Sequence, residues 1–470
     1  ELAVPNTHTK LLATAAAVGL AAVAGLSPNA SADPGRPANV PEAFATGRAA
    51  VERGGARLPE IAAQYGLNPG ELRRMLLEDP TLAMDRSHQL AYFDELEPAD
   101  LPGEPSAATG APSGDPFALS SLPGADKTIY LDFDGHETTG TSWNSTSGRT
   151  SITSPAYDLD GDPSTFNSTE LDRIRNSWAV VAEDFAPWNV NVTTIDPGTD
   201  ALRRVGSGDT QWGVRVIITG EDWNNCGCGG FAYLGSFDDT ADEPVYVFNK
   251  SFSGVSEAIS HEVGHALLLA HDGTKSGATY YRGHDTAGTP GWAPIMGASY
   301  YEPVTHWSRQ EYFDADNTDQ DDTVIIGSLT NGNNFGLRAD DHGDTPAAAT
   351  ALTEQQVSEP GVIETRSDVD VFSFETSGGD VSFVVEVAAI GPNLDAEVVL
   401  RDSAGSVIAG DNLPDALGAG FDAQVPAGSY TVSVTGVGVG SPSANPPSGY
   451  TDYGSLGQYT LLGYIGGIGE

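Results

Sequence analysis

The residues best placed to do chemistry in this chain are His261, Glu262 and His265, in the run HEVGH. On a helix, residues four apart share a face one turn apart, so both imidazoles can reach one metal ion. Glu262 is rotated by about 100° from His261 and stands beside the metal without ligating it. There a carboxylate can take a proton from a water that the metal holds. Zinc suits this arrangement, because it lowers the pKa of its water to about 7 and polarises a carbonyl.

A catalytic zinc usually needs a third protein ligand. His271 follows closely, and three of the nine histidines then lie within eleven residues. A straight helix would carry His271 about 9 Å beyond His265 and roughly 240° around the axis. His271 can therefore join the site only if the helix ends and the chain turns back after about residue 268. Asp272-Gly273 offers turn chemistry just beyond. Asp272 is the competing ligand, one residue away. If Leu268 makes the reversal in a left-handed conformation, the cost is about 1–2 kcal/mol, which metal binding can offset.

Other constellations carry less. Cys226 and Cys228 flank one glycine in a Gly-rich loop. In an exported protein they are candidates for a disulfide, against the plainer reading of two thiols. Asp158, Asp160 and Asp162 are spaced like the start of a calcium loop. Pro163 stands where glycine is expected and no Glu stands at the twelfth place, so it is not an EF-hand. A second acidic run spans 314–322, and both runs also read as solvated loops. Tyr300, Tyr301 and His306 are candidates to stabilise an oxyanion or to line a cleft wall.

The elements that must position these groups can be read from periodicity. Residues 58–77 read as helix, turn at Asn68-Pro69-Gly70, helix. Over 167–186, Asn167 and Glu170 form a capping box, and Leu171, Ile174, Trp178, Val181 and Phe185 make one stripe. Residues 128–133, 214–219 and 245–249 read as strands. A second helix, bearing the histidine motif, is expected to begin near Ser256. Beyond about residue 336 the helical pattern stops. Val381, Phe383, Val385 and Val387 alternate, as do Tyr430, Val432 and Val434, which predicts a β-sandwich.

Composition narrows the partners. Lys plus Arg is 22 against 65 Asp plus Glu, a formal net charge of −43. That excess argues against a binder of nucleic acid and against a mature form held on an anionic membrane. Residues 11–26 are apolar, follow Lys10 and precede Ala30 and Ala32 at A-x-A spacing, as in a secretory signal cleaved after Ala32. The expected division is a signal peptide at 1–32, a partly helical pro-segment at 33–124, a catalytic domain at 125–335 and a sandwich at 336–470. No cysteine lies in 33–124, so a thiol cannot block the metal; latency would come from steric covering or from a carboxylate, for which Asp115 is the candidate.

HEVGHALLLAHD has the spacing of the metzincin signature H-E-x-x-H-x-x-G-x-x-H, and departs from it at Leu268, where that family has Gly. Metzincins are zinc endopeptidases with a Met-turn beneath the metal, and Met296 in PIMG matches that element. IYLDFDGH, VAEDFAPWNVNVTT and YGSLGQYTL resemble secreted bacterial reprolysin-like metallopeptidases, a likeness that covers most of 115–470. DVDVFSF, NLDAEVVLRD and PAGSYTVSV resemble the bacterial pre-peptidase C-terminal (PPC) domain, a β-sandwich.

The expectation is an α+β chain: a metzincin-like zinc protease domain with a mixed sheet and active-site helix, followed by an all-β sandwich. It would be an extracellular endopeptidase acting on protein or peptide substrates, made as a precursor and activated by another protease or by self-cleavage. Zn2+ is the expected cofactor, with Ca2+ a further candidate. The alternative is an exported adhesion or carbohydrate-binding protein on a catalytically silent metallo-fold. A zinc hydrolase acting on non-peptide bonds is a third reading.

Overall fold

The computed structural model describes residues 40–96, 112–316 and 320–468. The expected signal segment lies outside them. Among the described residues no helix is long and apolar enough to cross a membrane.

The chain is mixed α+β. Its N-terminal part holds β1 (Ala45–Thr46), α1 (Gly47–Gly54), α2 (Leu58–Gln64), α3 (Pro69–Glu78), β2 (Leu82–Met84) and β3 (Leu90–Glu95). Asn68 caps α3 as the sequence predicts: its side chain accepts from the Glu71 amide, and Glu71 reaches back. The next region contributes β4 (Lys127–Asp132), α4 (Ser168–Asp184), β5 (Asn191–Thr193), β6 (Trp212–Ile218), β7 (Cys228–Tyr233), β8 (Val245–Val247), α5 (Phe252–Ala266), β9 (Trp292–Pro294) and β10 (Val304–His306).

One eight-stranded sheet runs β1-β2-β3-β7-β8-β6-β4-β5. The pairs from β8 to β5 are parallel, and those from β1 to β8 are antiparallel. The expected pro-segment is thus no separate lobe. Its last strand, β3, pairs along β7 and covers what would otherwise be the sheet's edge, a ready template for another extended chain. The residues near 119–122 also belong to the body of the fold, since the Leu119 carbonyl and amide bond Thr193 and Thr194.

Helices α4 and α5 pack on one face of this sheet over an apolar core that includes Ile129, Leu131, Ile174, Val181, Phe185, Val216, Ile259 and Val263. Helix α4 has the predicted cap: Asn167 accepts from the Thr169 and Glu170 amides. Helix α5 starts a turn earlier than the sequence suggests. Ser251 caps it by accepting from the Gly254 amide, while Ser256 is already inside and bonds back to the Phe252 carbonyl.

The C-terminal part is all-β. Strands β11 (Gln356–Ile363), β12 (Asp370–Val387), β13 (Ala396–Asp402), β14 (Val407–Asp411), β15 (Ala419–Gly436) and β16 (Gly457–Ile465) form a sheet ordered β11-β16-β12-β15-β13-β14. The long strand β12 turns at Gly378 and Gly379, both at positive φ (103° and 143°) where side chains are strained. The sheet thereby folds over a core of Phe372, Val381, Phe383, Val385, Val398, Val432 and Val434.

The α4 cap gives a direct test. Asn167→Ala removes the one side-chain oxygen that accepts from two helical amides, and we expect a loss of about 1 kcal/mol in denaturant unfolding.

Candidate functional site

Helix α5 carries His261 and His265 on one face and ends at Ala266. The chain then reverses through Leu268, whose φ is +80°. The Leu269 amide returns to the Gly264 carbonyl, closing the turn. The spacing called for a reversal after about residue 268, and Leu268 makes it in a left-handed conformation. The reversal brings the ring of His271 to 4.8 Å from that of His265 and 5.2 Å from that of His261.

The tautomers follow from the partners. Nδ1 of His261 lies 2.8 Å from the Ile295 carbonyl, and Nδ1 of His265 lies 2.8 Å from the Leu269 carbonyl. A carbonyl only accepts, so these nitrogens hold the protons and both Nε2 lone pairs face inward. Nδ1 of His271 is 2.9 Å from Asp79 Oδ2. Asp79 is fixed in turn by the Thr81 amide and hydroxyl. All three rings are thus oriented from outside, as metal-binding imidazoles are.

The three Nε2 atoms converge on Asp94 of β3. Asp94 Oδ2 is 3.2 Å from His265 Nε2 and 3.6 Å from His261 Nε2, and Oδ1 is 2.9 Å from His271 Nε2. Asp94 and the three histidines are buried, and their ligand atoms lie within 4.8 Å of one another. This group could hold a metal ion. His261 Nε2 and Glu262 Oε2 are buried with no hydrogen-bond partner among the described residues, which fits a site built for a cation. Burial works against protonating all three rings and lowers the pKa of His261 and His265, but at His271 Asp79 and Asp94 outweigh it and push the pKa up to about 10.

Glu262, on α5, lies beside this group with its carboxylate against Gly230 of β7. A Cβ at Gly230 would come within 2.1 Å of Glu262 Oε1, so only glycine leaves room for that carboxylate. Burial, then the nearby Asp94, raises the Glu262 pKa well above its usual value. Met296 lies under the helix: a Cβ at Gly264 would meet its sulfur at 2.4 Å.

Several expectations need correction or addition. Asp272 lies outside the metal-capable group; it is fully buried, and burial lifts its pKa to about 7. Asp115 is spent on a local turn, accepting from the Phe117 amide, and Asp94 holds the place foreseen for a carboxylate. The sequence reading passed over Asp94 because a lone aspartate in a strand carries no motif. It also passed over Tyr280, whose hydroxyl donates to Asp94 Oδ1 at 2.9 Å, with its ring 4.4 Å from that of His271. His306, a candidate for the oxyanion, is buried elsewhere in a structural network.

Cys226 and Cys228 are joined as a disulfide. The acidic loop gathers Asp158 and Asp160 with Glu170, whereas Asp162 lies outside that group. The loop largely satisfies itself: Asp158 Oδ1 accepts from the amides of Asp160, Gly161 and Asp162, and Asp162 Oδ1 from Ser164. Two further acidic groups, Asp340 with Asp341 and Asp370, and Asp340 with Glu364 and Asp368, lie in the C-terminal part.

No family model and no curated protein matches the chain. Among solved structures, it is similar to the pre-peptidase C-terminal domain of a collagenase from Bacillus anthracis, at 14% identity over 26% of this chain and 99% of that one, with a TM-score of 0.20. It is also similar to PliG, a periplasmic inhibitor of g-type lysozyme. For the Aeromonas hydrophila protein the figures are 13% identity, 25% of this chain, 95% of that one and TM-score 0.18. For the Salmonella Typhimurium protein they are 16%, 25%, 97% and 0.16.

The turn at Leu268 is the point to test. Leu268→Gly relieves the left-handed backbone by about 1–2 kcal/mol but gives up the leucine's packing, and we expect unfolding free energy to be preserved or to rise. In the same assay His271→Ala should abolish stoichiometric zinc binding, while Asp272→Ala should keep it.

Proposed function

We propose that the chain is an exported zinc endopeptidase on a metzincin-like fold with a PPC-like sandwich, made as a precursor that residues 40–96 hold latent. The observation that carries this reading is the convergence of three oriented, buried imidazole Nε2 atoms beside the Glu262 carboxylate, whose Oε2 has no hydrogen-bond partner among the described residues. His261, His265 and His271 would hold the metal. Bound there, zinc would supply a Lewis acid for the scissile carbonyl and a more acidic water.

The chain's own groups do the rest. Glu262, in its carboxylate form and made more basic by burial, would accept the proton lost by the attacking water. It would then deliver that proton to the amide nitrogen as the C–N bond breaks, leaving an amine and a carboxylic acid, which exchange a proton to give the ammonium and carboxylate ends. The Tyr280 hydroxyl, now donating to Asp94 Oδ1, would donate instead to the carbonyl oxygen as negative charge builds there.

The substrate would be an extended peptide. Strand β3 pairs antiparallel with β7, with Asp94 opposite Gly230 and Tyr92 opposite Ala232. A peptide that replaced β3 would gain the same main-chain bonds, which give affinity without demanding a sequence. In the precursor that groove is filled. Asp94 supplies the carboxylate in the metal pocket, Asp79 orients His271, and Tyr92 stacks on His265 with ring centroids 4.0 Å apart. Activation by another protease or by self-cleavage would have to withdraw β3.

The reading is tested by separating metal from turnover. Glu262→Ala should bind zinc one to one yet lose peptide hydrolysis by on the order of 10³-fold. Near-normal turnover by the zinc-loaded variant would contradict the role. Asp94→Ala should shed the pro-segment sooner than wild type in a mass-spectrometric time course; an unchanged rate would remove Asp94 from latency.

A further inference from the structure

The C-terminal sandwich touches the rest of the chain where the metal site is braced. Asn393, in the loop between β12 and β13, is buried and makes two kinds of contact. Its side-chain amide donates to Asp184 Oδ1 at 2.9 Å, at the end of α4. Asp184 Oδ2 in turn accepts from the Ser260 hydroxyl at 2.5 Å, and Ser260 immediately precedes His261 on α5. Next to it, Glu183 accepts from the Gln458 amide at 3.1 Å and from its side chain at 2.9 Å. Both carboxylates are buried, so separating the sandwich would strip polar partners from each.

The second contact is through the Asn393 carbonyl, 2.8 Å from His306 Nε2. His306 Nδ1 accepts from the Trp292 indole at 3.1 Å, so Nε2 carries the proton and donates to Asn393. The His306 carbonyl accepts from the Ile295 amide at 2.8 Å, and the Ile295 carbonyl accepts from His261 Nδ1. The approach is close throughout. A Cβ at Gly454 would fall 2.4 Å from His306 Cβ, and one at Gly391 would fall 2.9 Å from Val180 on α4.

We infer that the sandwich is a permanent brace of the metal site, with Asn393 a positioning residue that fixes His261 from both sides: through Asp184 and Ser260 on its helix, and through His306 and Ile295 at its ring. An appended module held by a linker needs neither buried carboxylates at its seam nor glycines where its loops meet the body. The inference deepens the proposed reading by making the sandwich part of the metal site, and rests on it only in using zinc as the probe.

Two measurements on the full chain test it. In the first, zinc-loaded wild type, Asn393→Ala and Thr286→Val are challenged with a chelator. Thr286 bonds the Pro447 carbonyl at the same interface but has no link to His261. Asn393→Ala should lose zinc about tenfold faster than wild type, and Thr286→Val at the wild-type rate. Equal rates for all three would overturn the positioning role. In the second, a specific protease site is inserted between Thr345 and Pro346, in an exposed stretch, and the chain is nicked. The two pieces should co-elute in gel filtration, or the front piece should lose its zinc on separating. Clean separation with zinc retained would overturn the inference. A chain that binds zinc with the expected Asn393 effect but cleaves no peptide would refute the peptidase reading and leave the brace standing.

Discussion

Three imidazoles can meet at one point only because the chain reverses direction within six residues of His265. The reversal is made by Leu268 at φ +80°, a conformation that costs a leucine about 1–2 kcal/mol. The rest of the site depends on that turn. It delivers the Leu269 carbonyl to His265 Nδ1 and swings His271 back toward the helix. Leu268 also packs toward Gly235 and into an apolar cluster with Tyr65, Leu67 and Leu234. Part of the strain is thus offset by contacts with the N-terminal segment itself.

That segment does two jobs with one strand. As the sheet's next strand, β3 covers the edge of β7, which would otherwise offer unpaired main-chain groups to any extended peptide. As a carrier of Asp94, it places a negative charge against His271 Nε2 and beside the Nε2 atoms of His261 and His265. A carboxylate suits that position because the His271 ring, whose pKa Asp79 and Asp94 raise, donates to it from Nε2. In the proposed precursor, latency by covering and latency by ligation would not be alternatives, since one strand could supply both.

Much of this was legible in the residues. The α3 and α4 capping boxes were readable because cap and third residue are local in sequence, and the alternating strands of the sandwich were readable because one face is buried. His261, Glu262 and His265 were readable because helical spacing is fixed. Asp94, Asp79 and Tyr280 were not, because their roles come from tertiary pairing across 170 residues or more and no local pattern announces it. Gly230 was hidden for a similar reason: its missing side chain matters only where Glu262 crosses it. The start of α5 was misplaced because both Ser251 and Ser256 can cap, and only packing decides between them.

The most direct measurement is zinc X-ray absorption on the full-length, unprocessed chain. The account predicts one zinc per chain with three imidazole nitrogens and one carboxylate oxygen, all at about 2.0–2.2 Å. A first shell with two imidazoles or fewer, or a chain that takes up no stoichiometric zinc, would contradict it.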